Sequence, residues 1–220
     1  MKQYLPITLS DQTLIEPYLK NTGKTGAEYS FTTLYMWAGI FNSFYRVVPQ
    51  DGQSLLLVRS RKDPDAPWHF LYPMGAESSV PAEIALKVLK EAAEDHPFVV
   101  GALSREEAIA LQNTGAPHLE ILETRDSFDY VYQASSLVTL KGKKLQPKRN
   151  HLNAFTKDFP DFKVVPITQD EIPACLKMNY QWCQMMGCMY EVDLGQEACA
   201  VHKAFRGFRE LGLEGLMLLA

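Results

Sequence analysis

The sequence lacks any long apolar run. Its mean hydropathy is −0.16, and no stretch of its 220 residues approaches the roughly 18 apolar residues that a membrane-spanning helix needs. The opening residues MKQYLPITLSDQ also lack the apolar centre of a signal peptide, so we expect a cytoplasmic protein with no membrane span. A net charge of −4 and a pI near 5.8 argue against a general nucleic-acid binder and against a DNA partner. Any anion-binding site must therefore be local.

Cysteine and histidine are scarce, and their spacing fits no metal site. The four cysteines are separated by 8, 5 and 11 residues, which matches no paired zinc-ligand pattern, and the five histidines are scattered. We therefore predict no metal and no tightly bound cofactor, and we expect reduced, mostly buried thiols that act as small apolar side chains. A metal or redox role is the alternative. The cysteines are Cys175, Cys183, Cys188 and Cys199.

Helical and strand patterns alternate along the chain, which predicts an α/β or α+β domain with a mixed sheet flanked by helices. Residues 44–60 are predicted to form a hairpin, because two apolar runs flank the tight-turn pair Asp51 and Gly52. FVVGAL is expected to be a buried strand. That strand covers residues 98–103, and further strands are predicted at residues 69–75, 118–124 and 128–133.

Helix-start signals accompany three amphipathic segments in the first 135 residues. Ser104 and Glu107 form the reciprocal Ser-x-x-Glu capping box, and Ser79 is a predicted cap ahead of Pro81. Tyr130 and Tyr132, at positions i and i+2 of a predicted strand, are expected to lie in the core. The predicted helices are residues 28–41, 80–95 and 104–115.

A second unit is predicted after residue 160. It comprises a strand in FKVVPI, a helix that follows a Thr168–Glu171 capping box, a helix that ends at Gly212, and a strand in LEGLMLLA. Because the last strand is apolar up to Ala220, we expect this unit to be incomplete, and a cooperative, monomeric melt of both halves would count against that. The alternative is a last strand that joins the first unit's sheet.

Positive charge is concentrated in one short stretch of this acidic chain. Five of the 22 Lys and Arg residues lie within residues 141–151, and Pro147 there fits the first turn of a helix that runs to about Asp158. Cations in a first turn are unfavourable by about 0.3–1 kcal/mol, because the free N–H groups already carry positive charge. A bound phosphate would resolve that conflict, and Gly142 would let the backbone approach it closely.

We therefore predict a phosphate-binding site in this stretch and assign no catalytic residue. The alternative is a solvated basic face, paired with the acidic residues just upstream, which are Glu120, Glu123, Asp126 and Asp129. The predicted site, called the basic motif below, consists of Lys141, Gly142, Lys143, Lys144, Lys148, Arg149 and Asn150.

Residues 127–155, SFDYVYQASSLVTLKGKKLQPKRNHLNAF, resemble the signature of an uncharacterised bacterial family. That family is related to the soluble C-terminal part of phosphatidylglycerol lysyltransferase. The resemblance rests on a Tyr-x-Tyr strand, a Leu-x-x-Leu-x-Gly-Lys-Lys segment and a Lys-Arg-Asn helix start. FTTLYMW, residues 31–37, is similar to the family's N-terminal helix.

The resemblance implies two GNAT-type acyltransferase domains in tandem. Residues 1–140 would form the first GNAT-like domain, residues 141–160 a basic connecting segment and helix, and residues 161–220 the beginning of a second GNAT-like domain.

The resemblance also implies an acyl- or aminoacyl-transferase. The donor would be aminoacyl-tRNA or acyl-CoA, and the acceptor an amine or a hydroxyl. The lysyltransferases carry a transmembrane bundle upstream that these 220 residues lack, so lipid is not implied as the acceptor. A non-catalytic module that binds an anion or tRNA on the same scaffold is the alternative.

Overall fold

Residues 3–24, 26–187 and 191–220 are described by a computed structural model and form two separate sheets. The larger sheet has six strands and the smaller has two. Helices accompany both sheets, and the larger sheet contains parallel as well as antiparallel pairs. The predicted α+β class with a mixed sheet is therefore confirmed.

The first sheet occupies the N-terminal half of the chain in the order β1-β2-β3-β4-β6, with β5 paired to β3. All pairs are antiparallel except β4 with β6, which are parallel. Strand β3 pairs with β4 near one end and with β5 near the other. Pro73 lies between β4 and β5 and interrupts the strand, since proline has no N–H for pairing. The strands are β1 (Leu5–Pro6), β2 (Phe44–Gln50), β3 (Gln53–Ser60), β4 (Trp68–Leu71), β5 (Met74–Gly75) and β6 (Phe98–Gly101).

Eight α-helices occur in the described residues. Those of the first half are α1 (Gln12–Asn21), α2 (Phe31–Trp37), α3 (Ala82–Ala92) and α4 (Arg105–Asn113). Those of the second half are α5 (Ala134–Thr139), α6 (Gln146–Asp158), α7 (Ile172–Met186) and α8 (Val192–Arg206).

The predicted hairpin is confirmed as β2 and β3, joined at Asp51 and Gly52. Both turn residues have positive φ, 49° and 83°, which is the geometry that a two-residue hairpin turn requires. Alternate residues of β3 then face two cores on opposite sides of the sheet. Leu55 and Leu57 pack with α3, whereas Leu56 and Val58 pack with α1.

The strands predicted at residues 118–124 and 128–133 are wrong. Residues 118–133 contain no strand, and Leu122 and Val131 are 73% and 90% exposed. Tyr130 and Tyr132 are also exposed rather than in the core. An alternating apolar pattern forms a strand only where another strand pairs with it, and no described strand lies beside this segment.

Two predicted helix starts differ from the structure. Helix α3 begins behind Pro81 without a side-chain cap, so the Ser79 cap is wrong. The Thr168–Glu171 box is one-sided, since the Glu171 carboxylate accepts from the Thr168 N–H at 2.8 Å while the Thr168 hydroxyl accepts from the Asp170 N–H. Helix α7 consequently begins only after Glu171.

Two further predictions are corrected. Strand β6 is half exposed rather than buried, because it is the edge strand of its sheet. Helix α8 ends at Arg206 with Gly207 as its cap, one turn and a half before Gly212. Gly212, with φ of 62°, instead ends the irregular turn that follows the helix.

The second sheet pairs β7 (Lys163–Pro166) antiparallel with β8 (Leu216–Leu219). The last strand therefore does not join the first sheet. Helix α8 does contact the first unit, because the Lys203 ammonium donates to the Tyr35 carbonyl at 2.5 Å and lies 4.1 Å above the Tyr35 ring.

Candidate functional site

The basic motif lies between α5 and α6, where the backbone turns sharply. Leu140 ends α5 in the left-handed region at φ 48°, and Gly142 follows at φ 96°. A 3-10 turn over Lys143–Leu145 then leads into α6, which runs from Gln146 to Asp158. The helix predicted around Pro147 is confirmed.

Arg149 binds the backbone of this turn. Its Nη1 donates to the carbonyl of Leu140 and, at 3.1 Å, to the carbonyl of Gly142. These carbonyls follow the end of α5, where backbone acceptors lack helical partners. Arg149 therefore fixes the shape of the turn that carries the neighbouring lysines.

The four lysines of the motif and Asn150 are exposed. Among the described residues, no ion pair involves these lysines, and the first turn of α6 holds no acidic residue. The described residues therefore show no ion pair between the motif's lysines and the upstream acidic residues. A solvated basic face agrees with the exposure of these lysines. Within the described chain, the motif presents positive charge to solvent at a helix start. The lysines are Lys141, Lys143, Lys144 and Lys148.

The motif lines neither of two cavities that lie in the first unit of the described chain. One cavity, of about 280 Å³, lies between the start of α3 and the start of α4. The other, of about 470 Å³, lies where β2 begins, β3 ends and β4 begins. The lysines of the basic motif are exposed, so a phosphate bound by them would lie at the protein surface.

The smaller cavity contains an ion pair that the sequence analysis missed. The Lys24 ammonium lies 2.5 Å from the Glu107 carboxylate, and their side chains are only 15% and 21% exposed. Glu107 is held by the confirmed capping box: the Ser104 hydroxyl accepts from the Glu107 N–H at 3.2 Å, and the second Glu107 oxygen accepts from the Ser104 N–H at 2.9 Å.

Two buried tyrosines complete the surroundings of Lys24. Its ammonium donates to the Tyr29 hydroxyl at 2.9 Å and lies 4.2 Å above the Tyr29 ring and 4.6 Å above the Tyr72 ring. The Tyr29 hydroxyl donates onward to the Ala102 carbonyl, and the Tyr72 hydroxyl donates to the Val80 carbonyl at 2.8 Å. The cation is thus enclosed by one carboxylate and two rings.

Burial is the largest influence on the pKa values of Lys24, Tyr29 and Tyr72. It lowers the pKa of Lys24, although the hydrogen bond and charge of Glu107 oppose that shift. Burial, followed by the Glu107 charge, raises the pKa of Tyr29 and brings the pKa of Tyr72 to about 12. Both tyrosines are therefore neutral donors at physiological pH.

The contacts of Lys24 and Glu107 indicate a structural role rather than proton transfer. One Glu107 oxygen contacts the Lys24 ammonium and the other accepts from the Ser104 N–H, so both oxygens make fixed contacts within the fold. The half-buried Lys24 ammonium is a fixed positive charge on the cavity wall. No sequence signal links Lys24 to Glu107, since the two are far apart in the chain and only Glu107 carries a motif.

The described residues contain no group of three or more His, Cys, Asp or Glu side chains poised for a metal ion. Among the cysteines, Cys175 is buried, Cys183 is half-buried and Cys199 is exposed, while Cys188 lies outside the described residues. Across the described ranges, no helix is both long enough and apolar enough to cross a bilayer.

The mixed sheet and its flanking helices place the chain in the α+β class with a GNAT-like fold. A family described as "Phosphatidylglycerol lysyltransferase, C-terminal" matches residues 20–220, and the chain belongs to that family. This membership supports a transferase-like role at the level of the family.

A solved structure is similar to the whole chain. It is the crystal structure of a conserved protein of unknown function from Bacteroides thetaiotaomicron VPI-5482, with a TM-score of 0.85 and 30% sequence identity. The likeness covers 100% of this chain and 72% of that one. A search of curated proteins finds no match.

Proposed function

We propose that this chain acts in an acyl- or aminoacyl-transferase whose donor is phosphate-bearing, either aminoacyl-tRNA or acyl-CoA. The acceptor is an amine or a hydroxyl. The family match over residues 20–220 is the observation that carries the proposal. The exposed basic motif supports it, because four lysines without an ion-pair partner among the described residues stand beside a helix start.

In the proposed reaction, the acceptor's amine or hydroxyl attacks the ester or thioester carbonyl of the donor. A bond from nitrogen or oxygen to the carbonyl carbon forms, and the carbon–oxygen or carbon–sulfur bond to the carrier breaks. The acceptor's proton ends on the released hydroxyl or thiol of the carrier. Positioning and stabilisation of the tetrahedral oxyanion are then the main demands on the protein.

Within the proposal, the lysines of the basic motif bind carrier phosphates, and Arg149 positions them. The Arg149 Nη1 donates to the backbone at Leu140 and Gly142, so its loss would unfix the turn as well as remove a charge. The side chains of Lys144 and Lys148 are exposed and make no hydrogen bond or ion pair with described residues. They are therefore the cleaner positions for a test.

The test measures donor binding and acyl release together. Aminoacyl-tRNA and acyl-CoA are titrated separately, and release of the acyl group is followed with an amine acceptor present. We expect one donor to bind and to lose its acyl group, with the Lys144→Ala/Lys148→Ala variant raising the donor KM about tenfold or more and leaving kcat similar.

The matched control is Lys87→Ala/Lys90→Ala, which removes the same charge from the exposed side of α3. It should leave the donor KM unchanged. Binding without release would favour the non-catalytic module that binds tRNA or another anion. An absence of binding by either donor would contradict the transferase and a module that binds tRNA.

A further inference from the structure

Arginines and aromatic rings share one face of the first sheet. In the strand register, Arg59 on β3 lies opposite Phe44 on β2 and Phe70 on β4. Residues that are directly opposite lie on the same face, and so do alternate residues of one strand. This puts Arg59 on the face of Leu57, and the alternation carries on to Arg61 just beyond the strand.

The guanidinium groups and the rings alternate in a row. The Arg59 Cζ lies 3.6 Å from the centre of the Tyr4 ring and 3.9 Å from that of Trp68. The Arg61 Cζ lies 4.2 Å from the Trp68 centre, and the Arg46 Cζ lies 4.7 Å from the Tyr4 centre. Stacking of this kind fixes the plane of each guanidinium and therefore the direction of its N–H donors.

Two of the three guanidinium groups in this row have no carboxylate at ion-pair distance among the described residues. No ion pair among the described residues involves Arg59 or Arg61. The Arg59 Nε and the Tyr4 hydroxyl are buried and have no hydrogen-bond partner within the described chain. Burial lowers the pKa of Arg59, and the positive charges of Arg46 and Arg61 lower it further, while Tyr4 and the Glu94 carboxylate oppose that shift. An anion would relieve this repulsion.

The row borders the larger cavity, of about 470 Å³. Arg59 and Arg61 line it together with the rings of Phe44 and Trp68 and with Pro64, and no residue of the basic motif does. A volume of several hundred Å³ is typical of sites for small molecules. The walls thus combine two fork-shaped donors with an apolar surface.

We propose that this cavity binds a small phosphoester. Arg59 and Arg61 donate to the phosphoryl oxygens, because a guanidinium matches phosphate geometry with two parallel N–H bonds. Phe44, Pro64 and Trp68 contact the organic group that the phosphate carries. The proposal goes beyond the proposed function and does not rest on it, since the basic motif lies elsewhere.

Calorimetric titration tests the site with three probes: inorganic phosphate, adenosine monophosphate and glycerol 3-phosphate. We expect one saturable site, and we expect Arg61→Gln to weaken binding about tenfold or more, as the loss of a charge-assisted hydrogen bond does. Arg59→Gln should weaken it at least as much. Because Arg59 lies between two rings, the thermal melt of each variant is measured first, and Arg61→Gln decides if Arg59→Gln does not fold.

Arg105→Gln is the matched control, because Arg105 is exposed on α4 and lines neither cavity. It should bind the probes as the parent chain does, and so should Lys144→Ala/Lys148→Ala. That second result separates this site from the basic motif, so either proposal can fail alone. Arg61→Lys should fall between the parent and Arg61→Gln, because it keeps the charge and loses the fork.

The probes distinguish the ligand's source. Tighter binding of adenosine monophosphate than of glycerol 3-phosphate indicates a nucleotide, and the reverse indicates a glycerophosphate headgroup. Equal binding of all three would contradict the proposed contacts of Phe44, Pro64 and Trp68 with an organic group. The proposal is overturned if no probe saturates a site up to about 10 mM, or if Arg61→Gln changes the affinity less than about twofold.

Discussion

Lys24 and Lys20 make the same kind of ion pair in different surroundings. Lys20 meets Glu16 one helical turn away at 2.7 Å, and its side chain is 72% exposed. Lys24 meets Glu107 across the fold and is mostly enclosed. If one partner of the exposed pair is removed, water solvates the charge that remains. If one partner of the enclosed pair is removed, the remaining charge stays largely shielded from water.

Glu107→Gln should therefore lower the free energy of unfolding by about 1–3 kcal/mol, because it leaves the Lys24 ammonium enclosed without a counter-charge. The same change at Glu16 should cost at most about 0.5 kcal/mol. Urea unfolding of both variants measures the two losses. Equal losses would mean that the enclosure of Lys24 has no energetic consequence.

The raised pKa of Tyr72 makes the stability of the fold depend on pH in the alkaline range. Its folded pKa of about 12 lies above the value of about 10 in an unfolded chain, so the folded state binds its proton more tightly. The stabilisation is complete below about pH 10 and is lost as the pH rises towards about 12.

Tyr72→Phe should destabilise the protein by about 1–2 kcal/mol near neutral pH, because the buried Val80 carbonyl loses its donor. Between about pH 10 and 12 that deficit should shrink by about 1–3 kcal/mol, since Phe has no proton to lose. Denaturant unfolding across this pH range measures the change. Parallel pH profiles for the two proteins would argue against the raised Tyr72 pKa.

At the level of helices and strands, local signals predicted those elements that local contacts stabilise. The hairpin turn at Asp51–Gly52, the Ser104–Glu107 box and the Pro147 helix are each confirmed, and each depends on residues close in sequence. The strands at 118–124 and 128–133 are wrong because strand formation depends on a neighbouring strand, which the pattern does not encode.

Gly52 and Gly39 allow a matched test of the hairpin turn. A Cβ at either position would meet no heavy atom within 4 Å, but only Gly52 has a positive φ, of 83°. Gly52→Ala should therefore cost about 1 kcal/mol, whereas Gly39→Ala should be neutral or stabilise by about 0.4–1 kcal/mol. Thermal and urea unfolding measure both. A loss of equal size at Gly39 would show that backbone conformation is not the cause.

At the scale of the whole molecule, the sequence pattern could not predict the contacts between the two units. Leu211, which follows α8, belongs to the same buried core as Ile7 and Ile15 of the first unit. Periodicity shows that such residues are apolar but not which unit they join. The division into residues 1–140, 141–160 and 161–220 therefore stays a prediction.

The candidate sites also differ in how far the sequence alone could reveal them. The basic motif is continuous in sequence, so its composition alone singled it out. The Lys24–Glu107 pair and the row of Arg59, Trp68 and Arg61 arise from strand pairing and helix packing. Arg59 and Arg61 form an Arg-x-Arg pattern across the end of β3, but that pattern does not indicate the aromatic rings beside which the guanidinium groups lie.

Salt dependence of tRNA binding tests the central claim, that the basic motif binds the phosphates of the donor. Each phosphate contact contributes about 0.7–0.9 to the slope of log affinity against log salt. We predict a slope smaller by about 1–2 for Lys144→Ala/Lys148→Ala and an unchanged slope for Lys87→Ala/Lys90→Ala. Slopes that match the parent chain for both variants would contradict the claim.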